Sequence, residues 1–407
     1  MKKVKLINIS ADNNANKFYN MTQLDGSTFE VHFGRVGGEG RKQKYPMSEW
    51  DKLLRDKKRK GYSDVTSNSK IIRIGDASFG DLKPKVKSLL ELLNKYAKEA
   101  FKLNYTVEIT DVSELLVEQA QELIDKMNSK LEIGVNMSEI TMLTLSLYKK
   151  IPRKIKNVQE SLIKPITDSA SLDAARDKLT VEQGLLDVVK GQLDKAPKTD
   201  DAVDGAIDDS KVLTFLDKLG LDIDEITPAE EQMLKDMMNE SKSKYIAAYK
   251  VINFRTQKAF DNEVSKSKNK TTKLLFHGSR SENWLSIIKS GLQLHPNAVT
   301  TGKLFDNGIY FADVADKSLG YINGGRWNRS SGDNDNWLAV YEVHTGNACT
   351  YNDIRSNPNV RLHDFVPQNG FDSYFADKNI ERRYSLARNE FIVYEEQKCT
   401  IKYLIHI

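Results

Sequence analysis

The sequence predicts a multidomain α+β chain, and three observations carry that prediction. Residues 17–74 alternate apolar and polar side chains between glycine-bearing turns. Residues 81–193 carry apolar stripes at helical spacing, and the C-terminal region is a series of short apolar strands with brief helices between some of them. This divides the chain into a small α/β module at 1–78, an all-α helical bundle at 81–195, an acidic linker or loop at 196–210 and a mixed β-sheet domain at 211–407. At 407 residues there is ample material for several cores.

Each element has a local reason. "KFYNMTQL", a turn at Asp25-Gly26 and "TFEVHFGRVG" read as strands, because alternation puts one face of each inward. "MSEWDKLLRDKKRKGY" reads as one helix, with Trp50, Leu53 and Leu54 on one side. In "KPKVKSLLELLNKYAKEAF" the residues Val86, Leu89, Leu90, Leu93, Tyr96 and Ala97 share a face, and Pro84 suits a first helical turn. "DVSELLVEQAQELIDKM" offers Asp111 and Glu114 at capping-box spacing. "MSEITMLTLSLYKKIP", closed by Pro152, and "SLDAARDKLTVEQGLLDVVKGQL" add further helices. Such leucine stripes are core faces, so no cofactor box is read there. "KAPKTDDAVDGAIDDS" has five aspartates and few apolar anchors, which marks the linker. Beyond it "KYIAAYKVINF", "KLLFHG", "GIYFAD", "LAVYEVHTG", "EFIVYEE" and "CTIKYLIHI" read as strands, with "SENWLSIIKSGL" as a helical interlude.

Composition narrows the function classes. No apolar run approaches the roughly 18 residues of a membrane span, and "MKKVKLINIS" lacks the apolar core of a secretory signal. The two cysteines, Cys349 and Cys399, fit neither a zinc site nor a disulfide framework, so a reduced, intracellular protein is expected. Net charge is +4, yet residues 1–75 hold 16 Lys/Arg against 8 Asp/Glu. The densest part is "RDKKRKGY", with Lys57, Lys58 and Arg59; such a run is a solvated face or a surface for nucleic acid.

The chemistry-bearing residues lie near the C-terminus. "LLFHGSR" is an apolar strand ending on His277, Gly278 and Ser279. Tyr310 follows a glycine turn in "NGIYFAD"; Lys317, Ser318 and Tyr321 follow in "DKSLGY"; Glu390 heads the apolar "EFIVYEE". A lone histidine, a strand tyrosine or a strand-edge glutamate is ordinary by itself. Together, HGSR at 277–280, TGKLFDNGIYFAD at 301–313, KSLGY at 317–321 and NEFIVYEE at 389–396 resemble, in order and spacing, the catalytic domain of the DNA-dependent poly(ADP-ribose) polymerases. "FGRVGGEG" is similar to their WGR domain, and the helical middle resembles by pattern their autoinhibitory helical domain. The resemblance spans nearly the whole chain.

It implies an NAD-consuming ADP-ribosyltransferase with a mixed-sheet catalytic domain. Tyr310 and Tyr321 would flank the nicotinamide ring, and the Gly278 backbone and Ser318 hydroxyl would hold its amide. A glycine there would let the backbone approach the ligand closely. His277 would bond the adenosine ribose with help from Ser279. Glu390 would stabilise the oxocarbenium-like sugar through its 2′-hydroxyl and orient the acceptor during elongation. Lys317 is either a neighbour of this machinery or a solvated lysine. NAD enters as substrate, and no metal is expected. Phe33, Gly34 and Arg35, with Lys57, Lys58 and Arg59, would contact DNA ends or nicks.

Two departures stand out. Phe33 replaces the tryptophan of the WGR motif, which keeps a stacking face but loses the indole donor. Arg388 stands where the polymerases often carry an aromatic, which puts branching in doubt. The sequence also lacks, after "YLIHI", the longer tail of some relatives. The expectation is a monomeric polymerase that modifies itself and other proteins, is triggered by DNA breaks and is restrained by its helices. Its compartment would be the nucleus in a eukaryote, or the cytoplasm in a bacterium or virus. A mono-ADP-ribosyltransferase and a DNA-end-binding scaffold with a vestigial NAD site are the alternatives.

Overall fold

The architecture was read from a computed structural model, which describes residues 1–66, 82–105, 112–193, 215–294, 304–322 and 336–407. The chain divides into two compact units, Met1–Ile72 with Glu99–Leu193, and Arg73–Lys98 with Asp194–Ile407. Among the described residues no helix is long and apolar enough to cross a membrane. The expected linker at 196–210 lies outside the described residues.

In the first unit, strands β1 (Lys3–Ser10), β2 (Ala15–Gln23), β3 (Thr28–Arg35), β4 (Arg41–Pro46) and β5 (Ser63–Asp64) form an antiparallel sheet ordered β4-β3-β2-β1-β5. Helix α1 (Trp50–Arg59) follows one turn of 3₁₀ helix, and Trp50 joins Leu6, Tyr19, Met21, Phe29 and Val31 in the core. Period-2 alternation sends these strand residues to one face. Strands β1 and β4 go beyond the elements expected from sequence. β4 is a polar edge strand whose side chains are largely exposed, so it has no apolar face to announce it.

Helices α2 (Pro84–Asn104), α3 (Glu114–Lys130), α4 (Met137–Lys150), α5 (Val158–Ser161) and α6 (Ser169–Gln192) follow. The boundary between the units falls within α2, whose first half carries the buried Val86, Leu89, Leu90 and Leu93. Phe101, Val117, Ile124, Met127, Ile140, Leu147, Leu179 and Leu186 form one core that also takes in Ile9 of β1. The α3 cap corrects the expected capping box at Asp111 and Glu114: Ser113 is the N-cap, accepting from the Leu116 N–H, and Glu114 is already the first helical residue. Asp168 and Ser171 form a capping box on α6.

The second unit continues with α7 (Phe215–Leu219), β6 (Leu221–Glu225), α8 (Pro228–Met238), β7 (Ala247–Asn253), α9 (Phe254–Lys266), β8 (Thr272–Gly278), α10 (Trp284–Ser290), β9 (Ile309–Phe311) and α11 (Ala315–Leu319). After these come β10 (Trp337–His344), β11 (Ala348–Cys349), α12 (Tyr351–Ile354), α13 (Leu362–Gln368), β12 (Ser373–Ala376), β13 (Glu390–Val393) and β14 (Cys399–His406). One sheet runs β6-β7-β14-β10-β8 and the other β11-β12-β13-β9, with β11 and β12 parallel and all other pairs antiparallel. The sheets meet where Phe276 and Ala312 exchange backbone hydrogen bonds of 2.8 and 3.0 Å. This is the multidomain α+β architecture that the sequence patterns predict.

Candidate active site

The site gathers around that meeting point. His277 and Gly278 close β8, Tyr310 lies in β9, and Glu390 opens β13 opposite Ala376 of β12. Tyr310 pairs in register with Ile392, so β9 and β13 carry Tyr310 and Glu390 as close neighbours. The His277 Nδ1–H donates to the Tyr310 carbonyl at 2.9 Å, which fixes the imidazole against the second sheet.

Gly278 has a reason visible only in three dimensions. A Cβ there would stand 2.0 Å from the Ser318 carbonyl oxygen, so no larger residue fits without moving α11. The close approach the sequence suggested is therefore made first by the protein's own backbone. It presses Ser318 onto the end of β8, where its buried hydroxyl donates to the Phe276 carbonyl at 3.2 Å. Ser279 follows β8, and its hydroxyl accepts from the Asn283 amide at 3.1 Å. Asn283 was not among the sequence candidates, and nothing local in the sequence marks it.

Lys317 is not a solvated lysine. Its ammonium lies 2.6 Å from Glu390 Oε1, and the glutamate is only 4% exposed. Burial opposes the Lys317 charge, but the hydrogen bond and charge of Glu390, with Tyr321 adding to them, hold its pKa above the usual lysine value. Two more polar contacts run alongside. Asn389 donates to Asp313 at 2.8 Å, and Arg388 forks onto Asp316 at 2.8 and 3.1 Å. Successive residues 388, 389 and 390 thus fasten β13 to α11 and the turn before it.

Burial pushes the Tyr310 phenol far above its ordinary value; the Phe305 N–H works against this, while Glu390, Asp306 and Tyr321 add to it. The hydroxyl stays neutral, accepting from the Phe305 N–H at 2.9 Å and donating to the Asp306 carbonyl at 2.8 Å. Tyr321, just past α11, is 55% exposed and leaves an aromatic face open to a ligand. His277, Gly278, Tyr310, Lys317, Ser318 and Glu390 are thus brought together, with Ser279 and Tyr321 at the margins.

Among the described residues one trio has metal-ligand spacing: Glu263, His344 and Asp372, with ligand atoms within 4.8 Å of one another. A cation is already present there. Lys398 sits 2.8 Å from Glu263 and 3.1 Å from Asp372, and these carboxylates overcome its burial and raise its pKa. The group is an ion-pair knot rather than an open coordination site.

The N-terminal candidates are partly engaged within their own unit. Phe33 is half-buried and packs on Tyr19 with ring centres 5.9 Å apart, so part of its ring is engaged internally. Gly34 is required by packing, since a Cβ would come within 2.7 Å of Gly40 Cα. Arg35 is exposed, and its guanidinium donates to the carbonyls of Asn14 at 2.9 Å and Lys156 at 2.7 Å. Lys57 lies 4.0 Å over the Tyr19 ring, and burial, then Lys60 and Lys17, lower its pKa. Lys58 pairs with Asp64 at 3.4 Å, and Arg59 pairs with Asp56.

Comparison with known proteins agrees with this geometry. The model of the poly(ADP-ribose) polymerase catalytic domain matches residues 228–407, and the WGR domain model matches residues 3–69. The chain is 34% identical over 194 residues to protein 101L of invertebrate iridescent virus 6, covering 47% of this chain and 77% of that protein. It is 32% identical over 169 residues to the poly [ADP-ribose] polymerase-like protein 100L of the same virus, covering 40% of this chain and 87% of that protein. With poly [ADP-ribose] polymerase 2 of Homo sapiens it shares 30% identity over 178 residues, 38% of this chain and 29% of the human protein. A catalytic-domain match from α8 to the last strand, a WGR-domain match over residues 3–69 and a viral relative covered over 87% of its length lead to one conclusion: the chain belongs to the poly(ADP-ribose) polymerase family and is an NAD+ ADP-ribosyltransferase.

Proposed function

We propose that the chain builds ADP-ribose polymer on itself and on other proteins, that DNA ends or nicks switch it on, and that its helical region holds it back until they do. Residues 1–78 would contact DNA, 81–195 would restrain and 211–407 would catalyse. The observation that carries the chemistry is the buried Glu390, paired with Lys317 and one strand away from Tyr310.

Nicotinamide stacks between Tyr310 and Tyr321, with its amide on the Gly278 backbone and the Ser318 hydroxyl, while His277 and Ser279 bond the adenosine ribose. The C1′–N bond breaks, its electron pair leaves with nicotinamide, and positive charge develops on the ribose. Glu390 accepts from the 2′-hydroxyl and stabilises that charge in a water-poor setting. An acceptor hydroxyl then attacks C1′, and its proton passes to Glu390 and on to solvent. Lys317 orients the Glu390 carboxylate between turnovers.

DNA control is supported by the basic WGR domain, a module of nucleic-acid-binding type. The exposed cations Arg35, Lys58 and Arg59 would exchange their internal acceptors for phosphates. The test is purified chain with labelled NAD, with and without nicked or blunt duplex, resolved on a sequencing gel. A DNA-dependent ladder is expected. A single modified band would make the chain a mono-transferase, and no transfer would leave a DNA-binding scaffold.

A further inference from the structure

Below the site lies a charged cluster that the reaction does not use. Glu381 and Tyr374 are almost wholly buried, and the Tyr374 hydroxyl donates to the Glu381 carboxylate. The other carboxylate oxygen accepts from the backbone N–H groups of Arg382 and Arg383, at 3.1 and 2.9 Å, and from Arg383 Nε at 3.2 Å. The Arg383 guanidinium lies 5.3 Å over the ring of Phe305, 5.2 Å over Tyr374 and 5.7 Å over Tyr384. One planar cation is therefore held among three aromatic faces and clamped by a buried carboxylate.

Phe305 links this cluster to the site. Its N–H donates to the Tyr310 hydroxyl at 2.9 Å, and its carbonyl accepts from Tyr394 at 2.8 Å. Its ring packs on Tyr374 and Tyr384 with centres 5.3 and 5.5 Å away. The next residue, Asp306, holds a left-handed φ of 61° while its carbonyl accepts from the Tyr310 hydroxyl. The turn that seats the Tyr310 hydroxyl is thus gripped from below by the arginine and its rings.

We infer that Arg383, locked by Glu381, is a positioning residue that sets the Tyr310 ring for nicotinamide by holding the Phe305–Asp306 turn. The inference rests on the proposed role of Tyr310 as a nicotinamide contact. Arg383 itself touches no substrate. A lysine could keep the charge at this position but not the flat face that three rings require.

The experiment compares Arg383→Lys, Tyr310→Phe, their double variant and Tyr310→Ala in the full chain, using melting temperature, nicotinamide affinity, and KM and kcat for NAD. Should Arg383→Lys fail to fold, the paired change Glu381→Gln with Arg383→Met, which removes both buried charges together, takes its place. Arg383→Lys is expected to weaken nicotinamide and raise the NAD KM by about tenfold, with kcat changed by no more than about twofold. Tyr310→Phe, which keeps the ring but loses the Phe305 bond, should do the same. The double variant should be little worse than either, because both act through one turn. A merely structural role would lower the melting temperature, leave nicotinamide affinity unchanged and overturn the inference, as would fully additive losses in the double variant. Unchanged nicotinamide affinity in Tyr310→Ala would remove the underlying reading of Tyr310, and this inference with it.

Discussion

The Lys317 ammonium stands 2.6 Å from the Glu390 carboxylate, and the two come from segments far apart in the chain. The ion pair holds the carboxylate in place beside Tyr310, where the proposed reaction would develop positive charge on the sugar. Glu390→Gln keeps the shape and removes the carboxylate. Transfer is expected to fall by at least about a hundredfold, on the order of 3 kcal/mol of transition-state stabilisation. NAD affinity should change far less. Single-turnover rates beside equilibrium NAD binding check this, and a variant that still makes long polymer would show that another carboxylate does the work.

Restraint by the helical region can be tested without removing it. Arg153 and Glu182 form a buried ion pair in the helical core, with Tyr148 also donating to Glu182 at 3.1 Å. Arg153→Ala leaves Glu182 unpaired and is expected to destabilise the first unit by about 3–5 kcal/mol. If a firmly packed bundle holds the enzyme back, activity without DNA rises as this core loosens. A lower melting temperature with no rise in DNA-independent transfer speaks against restraint.

At Arg35 the proposed DNA contact would compete with internal hydrogen bonds to Asn14 and Lys156. Phosphate binding must weaken with salt, with a log–log slope near −0.9 per neutralised phosphate on duplex DNA. Arg35→Ala is expected to lower that slope by about one and to weaken DNA stimulation, with basal transfer intact. Titrations of labelled blunt duplex at several salt concentrations, beside activity assays, measure both. Full DNA stimulation of the variant would take Arg35 out of the mechanism.

Glu230 supplies a pH test. The Thr227 N–H chiefly, opposed by burial and helped by the Thr227 and Tyr403 hydroxyls and Lys250, draws its pKa from 4.5 down to about 2. A depressed carboxylate adds stability above its unfolded value and loses it as pH falls through its folded one. Glu230→Gln should therefore melt below the parent protein at neutral pH. The gap should close between pH 4.5 and about 2. Melting curves across that range are the measurement; a gap that persists at pH 2 would mean that shape, not charge, matters there.

The candidate site was largely legible in the sequence because its pieces are short strand ends and turns whose residue types announce themselves: HGS after an apolar run, a tyrosine after a glycine turn, a glutamate heading four buried residues. What joins them was not legible. The Lys317–Glu390 pair and the Ser318 carbonyl against Gly278 depend on how β8, α11 and β13 meet, and no local pattern encodes that. Nothing local in the sequence marks Glu381 and Arg383, since a charge reveals its burial only through partners brought from elsewhere. In the fold, β4 gave little signal because a basic edge strand has no apolar face, and β6 gave little because Leu221 and Ile223 are its only two apolar residues, set among acidic ones. The α3 cap was misplaced by two residues, because aspartate and serine compete as caps and sequence spacing alone does not decide between them.

The exchange between Phe276 and Ala312 is, among the described residues, the only backbone pairing between the two catalytic sheets. It sits one residue before His277 and two after Tyr310, at the spine of an open book. Should the two leaves swing to admit a dinucleotide or a growing chain, the outer edges would travel farthest and the residues beside the spine least. Reach and aperture can then vary at the margins while the bond-breaking geometry stays still. A family with this layout can change what it modifies by remodelling the outer strands, without disturbing how the glycosidic bond is cut.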